Sequence, residues 1–527
     1  MTNETASLVA DLKARYFAAG VDAARLLCDA HDPARVVFTF IGRDLAATDL
    51  SYGELRERSA RLASVLAGRG IGPGDHVAVL MGKRPELVVT LLALWRLGAV
   101  HVPLFTAFAP PAIDYRLAES GAKLLVVDED QAPKIASLET TVELLRAEDV
   151  DALSSGAEAL DTPAAMGPDA PLLLLFTSGT TGRPKGVAVP LRALASIHAY
   201  MEFGLDVRDD DVYWNAADPG WAYGLYYAIL GPLAVGRRSL LLEGGFSSSL
   251  SHAVLAKFGV TNFAAAPTVY RSLRQDGAPG GLCLRCASSA GEPLTPEVIA
   301  WAQEALGVEV RDHYGQTEHG MLIVNGWHPA VKAPLEAGSI GRPLPGFVAG
   351  IVDGHIAIDM RASELVWFAG YRNRPESTAE RFTADGRWYL TGDAGSVRDG
   401  QFHFAAREDD IILMAGYRIG PFDVESVLCL HEAVAEVAVV GRPDALRGEV
   451  VEAFVVPASG ATPSAALVAE LQTLVKTRYS AHAYPRKIHF VSTLPKTPSG
   501  KIQRYVLRTN PTVENLIEDL SQALERR

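Results

Sequence analysis

Residues 171–190, PLLLLFTSGTTGRPKGVAVP, constrain this chain more than any other stretch. An apolar run from Leu172 to Phe176, short and sharply bounded, reads as a buried strand. A loop dominated by Ser, Thr and Gly then runs from Thr177 to Lys185. Gly179, Gly182 and Gly186 let the backbone turn its N–H groups inward without a Cβ penalty. Hydroxyls of Thr177, Ser178, Thr180 and Thr181 add donors, and Lys185 adds a cation. Many donors, one positive charge and no bulk make a polyphosphate cradle. The GxxxxGK[ST] spacing is absent, so this is not a Walker A loop. A flexible linker would need neither the buried strand in front nor the lysine at the end.

At 527 residues the chain is too long for one ordinary core, so two or more domains are expected. A formal net charge of −13 argues against a nucleic-acid surface, which needs a basic face. It also makes any ATP site a local positive island in an acidic protein. The N-terminus has no basic segment followed by an apolar one, and the longest apolar run, Leu87 to Trp95, is too short to span a bilayer. The expectation is a cytoplasmic protein with no membrane span. Cys283 and Cys286 spell CxxC without a second pair. In GLCLRCASSAG they read as strand residues on opposite faces, hence packing rather than metal binding.

The chain reads as α/β. Tyr52 to Gly68 and Pro85 to Leu97 are helical in period; His76 to Met81 and Lys123 to Asp128 are apolar strands. That spacing suits a mostly parallel sheet covered by helices. A helix over Tyr223 to Gly236 and strands at Ser239–Leu242 and Asn262–Ala266 continue the alternation. Residues 350–405 look like a smaller β-rich subdomain. After about residue 409 come short strands, a helix begun by Pro421, strands VAEVAVVG and VVEAFVV, a helix over Ala465 to Tyr479 and a strand KIHFVS, a compact α+β unit.

Five further motifs follow in order: SSAGEPL (288–294), DHYGQTEHG (312–320), WYLTGDAG (388–395), AREDDIILMAGYRIG (406–420) and LPKTPSGKIQR (494–504). With TSGTTGRPKG they resemble the adenylate-forming superfamily, which includes acyl-CoA synthetases, firefly luciferases and the adenylation domains of peptide synthetases. YGQTE, GYRIGP, AYPRKI and WNAADPGWAYG look most like its medium-chain acyl-CoA and acetyl-CoA synthetase branch. The resemblance implies a large N-terminal domain of layered sheets, residues 1–408, that binds ATP and the acyl group. It implies a small mobile C-terminal domain, residues 409–527, hinged at Asp409.

In such a protein Gly291, Glu292 and Pro293 lie along adenine and ribose, with Asp312, His313, Tyr314, Gly315 and Gln316 beside them. Thr317 donates to the α-phosphate, and Glu318 offers the hard oxygen that Mg²⁺ prefers. Asp393 accepts from both ribose hydroxyls, Arg407 is a second ribose contact, Arg418 meets phosphate, and Lys501 is the catalytic lysine. Ala415, Gly416, Tyr417, Arg447, Lys476, Tyr484, Pro485 and Arg486 match CoA-facing positions. A carboxylate is a poor nucleophile that ATP repels. Opposite unit charges about 4 Å apart gain roughly 4 kcal/mol at an effective dielectric near 20. Mg²⁺ on Glu318, with Lys185, Arg418 and Lys501, offsets that repulsion. The implied reaction makes an acyl-adenylate, then a CoA thioester, from a small carboxylic acid, ATP and CoA; a homodimer is one assembly open to it.

Acetyl-specific members carry tryptophan where this chain has Gly315. An open acyl pocket lined by Trp221, Ala264, Ala265, Ala266 and Gly315 then implies an acid larger than acetate: medium-chain, branched or cyclic. The other reading of Gly315 is a backbone need for a positive φ. Two departures stand out, Ala406 for the usual glycine before the ribose arginine, and Pro219 before Gly220 and Trp221. They leave room for an enzyme weakened in one half-reaction, such as one adenylating for a carrier protein. A non-catalytic binding protein would have lost Lys501, Glu318 or Asp393.

Overall fold

The apolar run before the phosphate loop is the strand Pro171–Phe176, and the chain returns antiparallel as Gly186–Pro190, with Phe176 opposite Gly186. The Thr177 N–H donates to the Lys185 carbonyl at 3.0 Å and closes the loop at its base. The computed structural model describes residues 3–509 except 140, 178–183, 276, 278–279, 293, 337, 408–409, 415–416, 445–446, 481 and 497–500. Ser178, Gly179, Thr180, Thr181, Gly182, Pro293, Asp409, Ala415 and Gly416 therefore lie outside the described residues, and Tyr417 and Arg418 are described by backbone alone.

The hairpin edges a six-stranded sheet ordered Glu143–Arg146, Leu124–Val127, His76–Leu80, Val100–Pro103, Pro171–Phe176 and Gly186–Pro190. Every neighbouring pair but the hairpin itself is parallel. Parallel strands are covered on both faces, so they read as unbroken apolar runs. Between them the helix Pro85–Arg96 is buried from Leu87 to Arg96, as an all-round apolar helix must be. The helix Tyr52–Gly68 starts on a capping box: Ser51 Oγ accepts from the Glu54 N–H, and Glu54 accepts from the Ser51 N–H.

A second sheet follows a thirteen-strand path. From Val310–Gln316 through Cys286–Ala290, Asn262–Ala265, Tyr213–Asn215 and Ser239–Leu242 to Val36–Ile41 it is parallel. Beyond Val310–Gln316 it turns antiparallel through Gly320–Val324, Ser339–Pro343, Gln401–Arg407, Trp388–Arg398 and His355–Asp359. Residues 350–405 thus form an antiparallel, β-rich group at one end of this path. The pairing of Ser339–Pro343 with Gln401–Arg407 joins that group to the main sheet, a contact that sequence order hides. The strand expected around both cysteines begins only at Cys286, so Cys283 lies outside it and exposed while Cys286 is buried.

The C-terminal unit holds a five-stranded sheet, with the helices Pro421–Leu428 and Ala465–Arg478 packed together over a core that includes Val424, Leu428, Leu467, Leu471 and Val475. Among the described residues no helix is long and apolar enough to cross a membrane.

Candidate active site

Asp393 lies on Trp388–Arg398 directly opposite Arg407 on the next strand. Tyr314 donates its hydroxyl to Asp393 Oδ2 at 2.6 Å. Gln316 Nε2 donates to the same oxygen at 2.7 Å and to the Thr391 carbonyl at 3.0 Å. Arg407 Nε stands 3.9 Å from Oδ1, an ion-pair distance too long for a hydrogen bond. Asp393 is 3 % exposed, and its Oδ1 has no hydrogen-bond partner among the described residues. A buried carboxylate oxygen left without a donor is costly. Ribose hydroxyls are donors of the right kind. Burial, then the neighbouring Asp393 charge, holds the Tyr314 phenol well above its ordinary pKa, so it stays a neutral donor.

The turn after Val310–Gln316 carries Thr317 and Glu318. Tyrosines from the stretch 222–235 hold it: Tyr226 donates to the Thr317 carbonyl at 3.0 Å, and Tyr227 Oη accepts from the Met321 N–H at 2.7 Å. That stretch is helical as expected, with a π-helical insert over Leu225–Leu230. Glu318 is buried, and its Oε1 accepts from the Tyr371 hydroxyl at 2.7 Å. No hydrogen bond to Oε2 occurs among the described residues. No cluster of three metal-ligating side chains occurs among them either. One carboxylate fits Mg²⁺, which takes few protein ligands and draws the rest from phosphates and water. Lys185 Nζ sits 5.0 Å from the Tyr371 ring centroid, tying the phosphate loop to the same corner.

Lys501 reaches this corner from the C-terminal unit. Lys501 is exposed, yet protein crowds its ammonium closely enough that desolvation lowers its pKa. The charges acting on it are Glu292 first, then Arg407, Asp393 and Glu318. Glu292 in turn accepts from Arg271 at 2.9 Å. Glu292, Asp393 and Glu318 therefore all act on Lys501.

A family model described as "AMP-binding enzyme" matches residues 29–358, more than half the chain. The chain belongs to that family. A second model, "AMP-binding enzyme C-terminal domain", matches residues 423–501. The acetyl-coenzyme A synthetase of Bacillus subtilis (strain 168) is 35% identical over 87% of this chain and 84% of its own length. The mitochondrial acyl-coenzyme A synthetase ACSM3 of Mus musculus is 35% identical over 87% and 83%. Among solved structures, a Brucella canis acyl-CoA synthetase is 43% identical with a TM-score of 0.74, covering 95% of this chain and 96% of that one. A benzoate CoA ligase from Burkholderia xenovorans LB400 is 28% identical with a TM-score of 0.79, covering 96% and 100%. This AMP-binding enzyme is an ATP-dependent, AMP-forming acid–CoA ligase using ATP and CoA, with Mg²⁺ the family's usual ion.

Not every residue singled out in the sequence faces the nucleotide corner. His313 is buried beneath it: its Nδ1 pairs with the Tyr200 hydroxyl at 2.7 Å, its Nε2 with the Asn325 carbonyl at 3.2 Å, and burial pushes its pKa down to about 3. Asp312, whose carboxyl burial pushes up to about 8, accepts from the Leu294 and His313 N–H groups and holds the AGEP loop from below. Trp221 packs on Phe105 and Phe108, each 5.3 Å away between ring centroids. Ala265 must be withdrawn as a pocket residue. It shares a strand face with Phe263 and is wholly buried with Trp214 and Tyr270, whereas Ala264 faces the other cluster, with Tyr213 and Tyr227.

Gly315 also needs correcting. Its φ is not positive. A Cβ there would lie 2.1 Å from the Gly320 carbonyl oxygen and 2.7 Å from Met321 Cα, because the pairing bulges between Tyr314 and Gly315. Close backbone approach, not an open pocket, requires the glycine. Gly315→Ala is expected to destabilise the fold by about 1–3 kcal/mol through overpacking, read as a lower urea midpoint at an unchanged m-value.

Four of the CoA-facing candidates, Arg447, Lys476, Tyr484 and Arg486, lie together. Tyr484 lies between two cations, with Lys476 Nζ 4.0 Å and Arg486 Cζ 3.9 Å from its ring centroid. Burial, then Arg447, lowers the Arg486 pKa, which puts Arg447 in the same patch. Tyr371, Arg381, Arg271 and Arg504 escaped the sequence reading. Tyr371, Arg381 and Arg271 lie outside the quoted motifs, where an aromatic or an arginine looks like any other; Arg504 closes the motif 494–504, in which Lys501 alone was given a role.

Proposed function

We propose that this ligase activates an acid larger than acetate, medium-chain, branched or cyclic, and carries out both half-reactions, adenylation and transfer to CoA. The observation that carries the reading is the convergence of Lys501 on Glu292, Asp393 and Glu318, around an Asp393 oxygen awaiting a donor.

Residues 1–408 hold the nucleotide and the acid; residues 409–527 act as a lid. The acid's carboxylate attacks the α-phosphorus, a new P–O bond forms, and the bond to pyrophosphate breaks with its electrons on the leaving group. Lys185 and Lys501 stabilise the growing charge. Mg²⁺ held by Glu318 would neutralise phosphate charge in the same step. No protein nucleophile is required, because positioning and electrostatics suffice. The CoA thiolate then displaces AMP from the acyl carbon. Arg447, Lys476 and Arg486 around Tyr484 supply cations for CoA phosphates.

Acid size rests on the resemblance, which assigns Trp221, Ala264 and Ala266 to the acyl pocket: Trp221 packs on Phe105 and Phe108, and both alanines are small. The benzoate ligase among the structural neighbours, and another named an anthranilate CoA ligase, fit a pocket of that kind.

ATP–pyrophosphate exchange across a panel of acids, with and without CoA and with mass detection of products, tests both parts. Hexanoate-sized or ring-bearing acids should exchange faster than acetate, and CoA esters should form whenever CoA is present. Preference for acetate would refute the acid class. Adenylate accumulating in the presence of CoA would refute the second half-reaction.

A further inference from the structure

The Tyr371 hydroxyl is bound to one oxygen of Glu318, and its ring carries Lys185 at 5.0 Å. We propose that Tyr371 is a positioning residue for adenylation: it fixes Glu318 in one orientation toward the metal–nucleotide and holds the phosphate-loop lysine beside it. The proposal rests on the reading of Glu318 and Lys185 given above.

The backbone of Tyr371 is placed by both halves of the site. It forms an isolated antiparallel bridge with Val187, just after the phosphate loop, and the next residue's N–H donates to the Gly186 carbonyl at 2.8 Å. On the other side the Tyr371 N–H donates to Thr378 Oγ1 at 2.9 Å, at the short helix Pro375–Ala379. The ring meets Phe368 edge-on at 5.2 Å and is 6 % exposed. A loop residue pinned at three points cannot wander from the carboxylate it serves.

Packing alone would require only the ring. The hydroxyl goes instead to the carboxylate assigned to the metal. A glutamate's terminal torsion is broad and nearly two-fold. One short hydrogen bond to Oε1 selects an orientation and leaves Oε2 for a cation. Burial, then the Glu318 charge, keeps the phenol above its ordinary pKa, so it remains a donor. The ring's electron-rich face suits an ammonium, and the contact is weak enough for phosphate oxygens to displace it. Arg381 joins the group from the other side. It acts on Tyr371 and Glu318, and its Nη1 donates to the Thr391 carbonyl, two residues before Asp393.

The test compares Tyr371→Phe with Tyr371→Leu in the full-length enzyme. Partners of metal ligands typically affect metal affinity by 10- to 100-fold. Tyr371→Phe should raise the Mg²⁺ concentration for half-maximal ATP–pyrophosphate exchange about tenfold. It should weaken Mn²⁺–ATP binding, followed by electron paramagnetic resonance without any acid, by a similar factor. ATP binding in EDTA should not change, since Lys185 keeps its aromatic support. Tyr371→Leu should weaken ATP binding in EDTA as well. In a Glu318→Gln background, Tyr371→Phe should add nothing. A folded Tyr371→Phe enzyme with unchanged metal dependence, or one losing rate equally at every Mg²⁺ concentration, overturns the proposal; so does an additive loss in the double variant. A wild-type protein with no exchange for any acid would sink the functional reading instead, while Mn²⁺–ATP binding would still judge Tyr371.

Discussion

Replacing Lys501 with alanine is expected to slow adenylation at least 10²- to 10³-fold, the usual cost of removing one preorganised donor from developing charge. Its ammonium enters a corner containing Glu292, Asp393 and Glu318, with Arg407 opposing it. Three carboxylates around a polyphosphate would repel the incoming acid, and Lys501 is a cation of the C-terminal unit that interacts with all three. Its lowered pKa comes from desolvation by the surrounding protein first, although the residue stays exposed. The loss should be confined to one half-reaction. CoA-ester formation from a supplied acyl-adenylate should stay within a few-fold of wild type, because in the proposed two-step reaction the C-terminal unit withdraws Lys501 before CoA attacks. Parallel assays of pyrophosphate exchange and of thioesterification decide the matter. Unchanged exchange contradicts the role of Lys501, and equal loss in both assays contradicts the withdrawal.

The parts of this site legible in the sequence are those where chemistry and backbone demand coincide. The Thr177 to Lys185 loop announced itself because a donor-rich, bulk-free segment after a buried strand has few other uses. Asp393, Tyr314 and Gln316 were legible as motif members, although their mutual hydrogen bonds join strands that sequence order keeps 70 residues and more apart. Ala265 was a recoverable error, since strand alternation puts it with Phe263, away from Ala264. Gly315 was not recoverable. Its requirement comes from the backbone of Gly320 and Met321 folding back across a bulge. Tyr371 and Arg504 were hidden for another reason: tyrosine and arginine are common in loops and on helices, and only the tertiary fold shows which carboxylate each one meets.

Arg504→Ala is expected to destabilise the C-terminal unit by about 1–3 kcal/mol, the range for a buried group left short of its partner, since Glu425 is buried while Arg504 is half-buried. Arg504 Nη2 donates to both oxygens of Glu425, at 2.8 and 2.7 Å, and Nη1 stands 3.5 Å from Asp410 Oδ2. Glu425 is 6 % exposed and also accepts from the Val439 N–H at 2.8 Å, so removing the guanidinium strands a buried carboxylate on one backbone donor. Lysine should rescue little, because one ammonium cannot reproduce the two-pronged geometry. Arg508 holds Asp410 at 2.5 Å from the following turn, so the helix Arg504–Thr509 is clamped to the residue beside the expected hinge at Asp409. Lys501 lies three residues before Arg504, and its reach into the site depends on that clamp. Both half-reactions should therefore fall together, in contrast to Lys501→Ala. Hydrogen exchange should rise across 421–457 and hold steady in the phosphate hairpin 171–190. Lid protection unchanged in the variant would mean that Arg504 is a surface cation and that Lys501 is positioned by other contacts.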